Sequence, residues 1–250
     1  GLKVNILFGN DSGGIEEWKT IPKAQFNIVV NNWVGLNIAE HLKEKYGTPY
    51  VHFPYLPIGG IETSKFLRKV VQFGKLDETK AEAFIEKEEK KFYFFIERAA
   101  DFLLEFRYGL PRKFYTILDS SYALGFAKFL FNELGIIPAK QYIVEETPHR
   151  FRKGIIDEFK NISDYRSCEV VFSSNGGEIQ EDIRKDDHKR RSLILGSSWE
   201  RDLAKDIGAD LLIISPPVAY RLVLNCGYAG YKGGLRVIED IYDIVLNTYR

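Results

Sequence analysis

The sequence contains no methionine and only two cysteines among its 250 residues. Two thiols in a chain of this length do not make a disulfide framework, so an intracellular, cytoplasmic protein is the default expectation. Histidines are also sparse: His41, His52, His149 and His188 stand far apart, and none has a metal-binding spacing with a cysteine. No metal site made by this chain alone is therefore expected.

Long apolar runs and an excess of either charge are also missing. No apolar stretch approaches the roughly 18 residues that a membrane-spanning helix needs. Lysine plus arginine and aspartate plus glutamate both number 35, which argues against a general nucleic-acid or membrane surface. The opening letters GLKVNILFG have neither a basic leader nor a long apolar region, so no signal peptide is expected. They run directly into a strand pattern, which we interpret as the start of a fragment of a longer protein.

The most regular stretch lies at residues 77–108, which contain no glycine and no proline. Apolar residues recur there at steps of three and four, which predicts one long amphipathic helix. One interpretation is a coiled-coil arm. We favour a spine on which the α/β segments before and after it both pack, because Gly109, Leu110 and Pro111 end the pattern. The predicted buried stripe consists of Ala81, Ile85, Glu88, Phe92, Phe95, Ala99, Phe102 and Phe106.

Strand and helix patterns alternate on both sides of this helix, which is typical of βαβ units and a parallel sheet. The sequence therefore predicts an α/β fold with two Rossmann-like parallel-sheet domains, the first partial, joined by the long helix. The predicted boundaries are 1–76 for the partial domain, 77–108 for the connecting helix and 109–250 for the second domain. Strands are predicted at 4–8, 26–30, 50–53, 114–118, 141–144, 169–172, 193–195 and 210–214.

Ligands of such sheets gather at the carboxyl ends of the strands. The loops at these ends are therefore expected to cluster. The glycine-rich loop 9–14 could cradle an anion with its backbone N–H groups, but its spacing matches neither the P-loop nor the dinucleotide fingerprint, so a tight turn is the simpler interpretation. The loops in question carry Ser12, Pro57, Asp119, Ser174, Ser197 and Pro216.

Three residues are candidates for a functional site. Asp119 stands at a strand end and is a candidate for an interface contact, although hydrogen bonding into a turn explains it equally well. Cys226 precedes the last helix, where a cysteine is either a reactive thiolate or cluster ligand, or an inert side chain. Ser197 follows a strand and is the second cofactor-binding candidate. No Ser/His/Asp set or Walker motif can be assembled, so the residues alone predict a soluble α/β protein without an assigned activity.

Several motifs, taken in order, resemble one family. FNIVVNNW at 26–33, YGTPY at 46–50, LPIG at 56–59 and TSKFLR at 63–68 precede the long helix. LILGSSWER at 193–201, ISPP at 214–217 and GYAGYKGGL at 227–235 follow it. Together they cover nearly the whole chain and resemble the C-terminal part of nitrogenase component 1 proteins, the β chain of the molybdenum–iron protein most of all.

That resemblance implies three Rossmann-like domains per chain and an α2β2 assembly with an α-type component 1 subunit. It also implies electron delivery from an ATP-dependent iron-protein reductase. The cysteines of the interfacial iron–sulfur cluster belong to an N-terminal domain without a counterpart in this sequence, and the iron–molybdenum cofactor belongs to the α chain. Arg221 matches the family's arginine after the last strand, but the histidines usual there are absent.

The leading hypothesis is therefore a β-type component 1 portion that acts as scaffold and subunit interface. No cofactor is expected in this chain, and an iron–sulfur cluster is expected in the full-length complex. The alternatives are a cofactor-assembly scaffold, an alternative-metal nitrogenase and a nitrogenase-like tetrapyrrole reductase. From a different class, the chain could be a stand-alone module that binds a small ligand in the cleft between its two α/β segments.

Overall fold

The structure is a computed structural model that describes residues 2–5, 12–106, 109–163 and 167–248, with the side chains of residues 102–106 and 248 outside the description. Within these residues the chain forms a small parallel sheet, one long helix and a larger parallel sheet. The predicted strand at 4–8 falls mostly outside the described residues, and residues 4–5 form no strand.

A two-stranded sheet and its helices make up the first segment. The strands pair in parallel, with Asn27 opposite Tyr50. Gly35 and Gly47 flank the helix between them with φ of 86° and 73°, a left-handed conformation that glycine adopts without a Cβ clash. The elements are α1 (Ile15–Trp18), β1 (Asn27–Val30), α2 (Leu36–Tyr46), β2 (Tyr50–Phe53) and α3 (Gly59–Gly74).

The predicted spine is a single helix, α4 (Glu78–Phe106). It packs against α3 and against the last helix, α9 (Gly230–Thr248), and these two helices also contact each other. Ile85 and Phe92 are each 1 % exposed at these contacts. The interpretation of this stretch as a spine is therefore confirmed.

The predicted stripe is wrong at Phe95, which is 45 % exposed. Ile96 packs against the core in its place. After Phe92 the buried face advances by four residues where the pattern predicted three, because a helix of about 3.6 residues per turn drifts relative to a fixed neighbour. The side chains of Phe102 and Phe106, also in the predicted stripe, lie outside the described residues.

The second segment is a five-stranded sheet in which every pairing is parallel. Strands and helices alternate through it, as the sequence predicted. Its strands are β3 (Lys113–Leu118), β4 (Ile137–Ile143), β5 (Val170–Phe172), β6 (Ser192–Gly196) and β7 (Asp210–Ile213), and its helices before α9 are α5 (Ser120–Asn132), α6 (His149–Lys160), α7 (Gly176–Arg184) and α8 (Arg201–Ile207).

The strand order β5-β4-β3-β6-β7 is the doubly wound, Rossmann-like order. Phe114 and Leu118 of β3 face the layer that contains α5, α6 and α9, whereas Tyr115 and Ile117 face α7 and α8. This alternation follows from the period of two along a strand. The predicted fold class is confirmed, and the order of the chain reverses between β3 and β6.

Strand β4 begins earlier than the sequence predicted. It starts at Ile137 and includes Pro138, which lies opposite Phe114 of β3. On the other side, β5 pairs with β4 only from Gln141 onward. Pro138 therefore lies outside the part of β4 that is paired on both sides, which explains why the missing N–H is tolerated.

One hydrophobic core runs through all three predicted segments. Tyr55 and Ile58 before the long helix and Phe92 within it belong to the same buried cluster as Phe114 and Phe129 of the large sheet layer. The boundaries at 1–76, 77–108 and 109–250 stay a prediction. No helix in the described residues combines the length and the apolarity that crossing a bilayer would require.

Candidate functional site

The carboxyl ends of the two sheets meet at the start of α5. The backbone N–H of Asn32, after β1, donates to Ser121 Oγ at 3.0 Å. The N–H of Leu56, after β2, donates to the Ser121 carbonyl at 3.3 Å. Because α5 begins where β3 ends, the loops after three strands converge there, as expected for a ligand crevice of this fold.

Glu145 lies at the centre of this convergence, two residues after β4. Its Oε1 accepts the Trp33 indole N–H at 3.0 Å, the Ser120 backbone N–H at 3.2 Å and the Thr147 hydroxyl at 3.2 Å. The Ser120 hydroxyl also donates to it. Buried polar groups must find partners, and this carboxylate supplies one for groups on both sheets. Glu145 therefore joins the small sheet to the large one.

A polar cleft of about 500 Å³ opens beside Glu145, between the loops that follow β4 and β5. Arg152 lies along it, with its guanidinium 5.1 Å from the centre of the Phe172 ring and its Nε donating to the Thr147 carbonyl at 3.0 Å. The cleft has the size and polarity of a site for a small polar ligand. Its lining is Glu145, Glu146, Thr147, Arg152, Phe172, Ser173, Ser174 and Asn175.

Asp119 lies at the carboxyl end of β3, as the sequence predicted, and caps α5. Its Oδ1 accepts the N–H groups of Ser121 at 3.0 Å and Tyr122 at 3.1 Å. Burial raises the pKa of this carboxyl above its usual value, although the two backbone N–H groups act in the opposite direction. The turn interpretation accounts for these contacts, and an interface role for Asp119 stays a prediction.

Ser197 follows β6, next to β3 in the sheet, and its side chain is also engaged locally. Its Oγ accepts the Trp199 N–H at 3.1 Å and donates to Glu200 Oε2 at 2.8 Å. Glu200 in turn accepts the Ser197 N–H at 2.6 Å, which completes a capping box. Ser197 and Asp119 thus flank the point where the chain order reverses, and each is used to start a helix. Cofactor binding by Ser197 stays a prediction.

Cys226 lies in the loop between β7 and α9, beside a second cleft of about 430 Å³. Its sulfur is 3.7 Å from an Nη2 of Arg221. That arginine donates to Asp240 at 2.9 Å, and Arg236 reaches the same carboxylate at 2.7 Å. Tyr228 also donates to Asp240, at 2.8 Å, and burial, reinforced by this hydrogen bond, raises the pKa of its phenol.

The surroundings of Cys226 do not fit an iron–sulfur cluster. A cluster needs several thiolate or histidine ligands, but no group of three His, Cys, Asp or Glu side chains suited to a metal ion exists in the described residues. The other cysteine, Cys168, is buried, and its sulfur faces the Ala139 carbonyl at 3.2 Å. The cofactor-binding role of Cys226 therefore stays a prediction without companion ligands.

The remaining strand-end loops are brought together only in part. Ser174 lines the polar cleft, and Pro216 follows β7 at the same edge of the large sheet. The carbonyl of Pro57 accepts the N–H of Gly230 at 2.8 Å, so the loop after β2 contacts the start of α9. Ser12 follows no described strand, and its hydroxyl accepts the nearby Gly14 N–H at 3.0 Å.

A group of large apolar side chains at this edge faces solvent. We call it the loop patch: Trp199, Tyr220, Leu222 and Leu224, which are 74, 75, 80 and 86 % exposed. The loop that carries it is anchored, because Ser198 Oγ accepts the Ala219 N–H at 2.6 Å. Large apolar side chains that are grouped and exposed on an anchored loop are typical of a protein interface.

Sequence reasoning missed Glu145, Arg152 and Asp240. Glu145 comes directly after the predicted strand 141–144, the same position that selected Asp119 in its own loop, so a signal for it existed. Arg152 and Asp240 lie within helices, and the contacts that single them out join them to loops outside their own helices. No local pattern indicates such contacts.

The chain is similar to proteins of known family along its whole length. A profile of the nitrogenase component 1 type oxidoreductases matches residues 1–246. The B subunit of the light-independent protochlorophyllide reductase of Chaetosphaeridium globosum is 28 % identical over 269 residues, and the match covers 100 % of this chain and 47 % of that protein. The corresponding subunit of Crocosphaera subtropica is 28 % identical over 255 residues, with 100 and 46 % covered.

A solved structure described as nitrogenase Cp1 at pH 6.5 has the same fold. It superposes with a TM-score of 0.75 at 19 % identity, covering 96 % of this chain and 49 % of that one. The chain thus spans about half the length of the curated relatives and of the structure it matches.

Proposed function

The chain belongs to the nitrogenase component 1 type oxidoreductases, and we propose that it is part of the β-type subunit of a nitrogenase-like reductase whose substrate is a tetrapyrrole. In this proposal it is the scaffold and interface portion of the subunit. The reducing electrons come from an ATP-dependent reductase, and an iron–sulfur cluster is held elsewhere in the assembly.

One observation carries the choice of a tetrapyrrole over dinitrogen. The similarity to the B subunits of light-independent protochlorophyllide reductases runs through 97–100 % of the chain in relatives from several organisms. The likeness to a nitrogenase structure, at 19 % identity, concerns the fold. The molybdenum–iron β-type subunit therefore becomes the second candidate, favoured by the sequence motifs described above.

The role as an interface is supported by the loop patch. Its members extend from loops at the carboxyl edge of β6 and β7, the edge at which ligands of this fold bind. Arg201 lies over the Tyr220 ring at 3.9 Å from its centre, so an arginine and an aromatic residue stand together at the patch. Arginine, tryptophan and tyrosine are the residues that contribute most to protein–protein association. We infer that this patch contacts the α-type subunit.

The substrate is tested with the full-length protein, purified anaerobically together with its co-encoded α-type subunit and reductase. We expect ATP-dependent loss of the visible absorption of protochlorophyllide or of a related tetrapyrrole, with no reduction of acetylene. Reduction of acetylene without turnover of any tetrapyrrole would replace this proposal by the nitrogenase alternative.

The interface is tested by replacing Leu222 and Leu224 with serine. Because both side chains are almost fully exposed, the fold should be retained while association with the α-type subunit weakens, as measured by sedimentation. A matched control replaces the exposed Val34 and Ile38 of the first segment, which are 50 and 66 % exposed. If both pairs leave the assembly intact, the loop patch is not the interface.

A different class of function is a small-ligand module that uses the polar cleft beside Glu145. The observation that favours it is the guanidinium of Arg152 in a cleft of about 500 Å³. Calorimetry of the isolated chain against phosphate and nucleotides separates the two candidates. Tight binding there would support the module.

A further inference from the structure

The long helix α4 carries exposed aromatic side chains next to basic ones. Phe84, Phe94 and Phe95 are 53, 49 and 45 % exposed, although phenylalanine is among the residues most often buried. Positions three or four residues apart share one face of a helix. Lysines and an arginine occupy the remaining positions of this face. The basic–aromatic stripe consists of Lys80, Phe84, Lys87, Lys91, Phe94, Phe95 and Arg98.

Most of the positively charged side chains of the stripe form no ion pair within the part of the chain that the structure describes. Among the described residues, neither Lys87 nor Lys91 forms a salt bridge, while Lys80 pairs with Asp77 at 3.1 Å at the beginning of the helix. The Arg98 guanidinium lies 5.2 Å from the centre of the Phe94 ring. From Lys80 to Arg98 the stripe is about 27 Å long at the usual rise of an α-helix. Exposed apolar area and unpaired charge therefore coincide on one narrow surface.

We propose that this basic–aromatic stripe is a docking site for an acidic, amphipathic helix or helix-like surface of another protein. Its phenylalanines would bury apolar side chains of the partner, and Lys87, Lys91 and Arg98 would pair with carboxylates of the partner spaced three or four residues apart. Charge complementarity of this kind steers association and selects the partner. The proposal goes beyond the proposed function, because it concerns a different element from the loop patch and does not depend on the substrate.

The width of the stripe argues against a nucleic acid or an anionic membrane. Carboxylates border it, with Glu86 and Glu97 towards one side and Glu88 towards the other. A phosphate-rich surface wider than one helix would bring negative charge against these carboxylates as well as against the lysines. A partner helix is narrow enough to meet the lysines alone.

The charge of the stripe also argues against a symmetric dimer through α4. In a two-fold contact the same patch of both copies meets itself. Lys87 and Lys91 of one copy would then face the basic stripe of the other, and like charges across an interface cost association energy. The occupant is therefore a different, acidic surface.

The first test is carbodiimide cross-linking of the full-length protein in its complex with the co-encoded α-type subunit and reductase. This reagent joins a lysine amine to a carboxylate only when the two are within ion-pair distance. We expect Lys87 or Lys91 to be joined to an aspartate or glutamate of another polypeptide. Links from both lysines only to carboxylates of the same chain, or no link at all, would overturn the proposal.

The second test reverses charge on the stripe with the pair Lys87→Glu and Lys91→Glu. We expect the dissociation constant for the cross-linked partner to rise about tenfold or more at physiological salt. The control pair, Lys153→Glu and Lys205→Glu, changes the net charge by the same amount at exposed positions on other helices, and association should stay within about twofold. Equal weakening by the two pairs would mean that only net charge matters, against the proposal.

A milder pair of substitutions distinguishes a loss of binding from a folding defect. Lys87→Gln and Lys91→Gln remove the charge without repulsion and retain good helix formers, so the dissociation constant should rise by a smaller factor in the same direction. Phosphatidylglycerol vesicles and oligothymidylate are titrated in parallel. If the full-length protein binds vesicles or oligothymidylate more tightly than it binds the cross-linked protein, and the lysine substitutions abolish that binding, the proposed protein partner is replaced.

Discussion

The Trp33 indole N–H donates to Glu145 Oε1 across 3.0 Å, although the two residues are 112 positions apart in the chain. Trp33 also stacks on Phe151 of α6, with ring centres 6.3 Å apart. Trp33, which follows β1 of the small sheet, is thereby held against the large-sheet segment by its indole N–H and by its ring. This contact determines how the crevice between the two sheets is closed.

Removing the Glu145 carboxylate should therefore destabilise the whole chain. Glu145→Ala leaves the Trp33 indole and the Ser120 N–H without their acceptor, and each lost partner of a buried donor costs about 1–3 kcal/mol. We expect the free energy of unfolding in urea to fall by roughly 2–3 kcal/mol, and Trp33 fluorescence to shift to the red. The control is Glu146→Ala, at the exposed neighbouring position. Equal effects of the two substitutions would contradict the proposed role of Glu145 in joining the two sheets.

The carboxyl of Glu133 should make the folded chain less stable as the pH rises from 4.5 to about 7. Burial raises the pKa of its carboxyl to about 7, although the N–H groups of Gly60 and Ile61, at 3.1 and 3.0 Å, act in the opposite direction. The folded state binds this proton more tightly than the unfolded state. Its contribution to stability is therefore complete below the ordinary value of 4.5 and is lost as the pH rises through about 7.

Glu133→Gln should flatten that part of the pH profile. We expect a gain in the free energy of unfolding on the order of 2 kcal/mol at pH 8 relative to the parent chain, and little change at pH 4.5. Urea unfolding across this pH range measures it, with the exposed Glu86→Gln as control. A parent profile that rises between pH 4.5 and 7 in step with the variant's would refute the assignment to Glu133.

Gly125 should resist substitution although it lies inside α5. A Cβ at this position would stand 2.4 Å from the Leu56 carbonyl oxygen, so the helix could no longer approach the loop after β2. We expect Gly125→Ala to lower the free energy of unfolding by about 1–3 kcal/mol. The same substitution at Gly154 of α6 meets nothing within 4 Å and should raise it by up to about 1 kcal/mol. Thermal or urea unfolding of the two variants gives the comparison.

Asp240 should hold the loop patch in place. Its carboxylate, 4 % exposed, takes Arg221, Arg236 and Tyr228 as partners. Asp240→Asn removes the charge that holds the two arginines, so the loop should detach from α9. Trypsin should then cut after Arg221 about tenfold faster, which corresponds to a loss of roughly 1.4 kcal/mol in the free energy of local opening. Asp243→Asn on the exposed side of α9 is the control. An unchanged cleavage rate would show that other contacts anchor the loop.

Individual strands could be predicted where a local sequence feature marked their ends. The predicted bounds of β2 match the observed ones, because the strand formers of Tyr50–Phe53 stand between a proline on each side. Asp119 is predicted at the end of β3 because the apolar run 114–118 stops there, and the structure places it at that strand end. These are local signals, and the structure retains them.

The rest depended on contacts between distant parts of the chain. Phe95 and Ile96 are equally apolar, and only the positions of α3 and α9 decide which of the two is buried. The start of β4 at Ile137 depends on how far β5 extends beside it, which Pro138 by itself does not reveal. The position of Ser197 after a strand makes it a cofactor-binding candidate. In the fold, however, its N–H and its hydroxyl both donate to the Glu200 carboxylate.

The shared core has a consequence for recombination between members of this family. Ile58 and Phe92 are buried with Phe129, and a Cβ on Gly234 would stand 2.6 Å from the Cα of Gly59. A chimaera that exchanged only the large sheet, with its crossover at the end of α4, would pair helices that did not evolve to interlock. The unit that can be transplanted begins before α3, so the practical crossover lies in the first segment, upstream of Ile58.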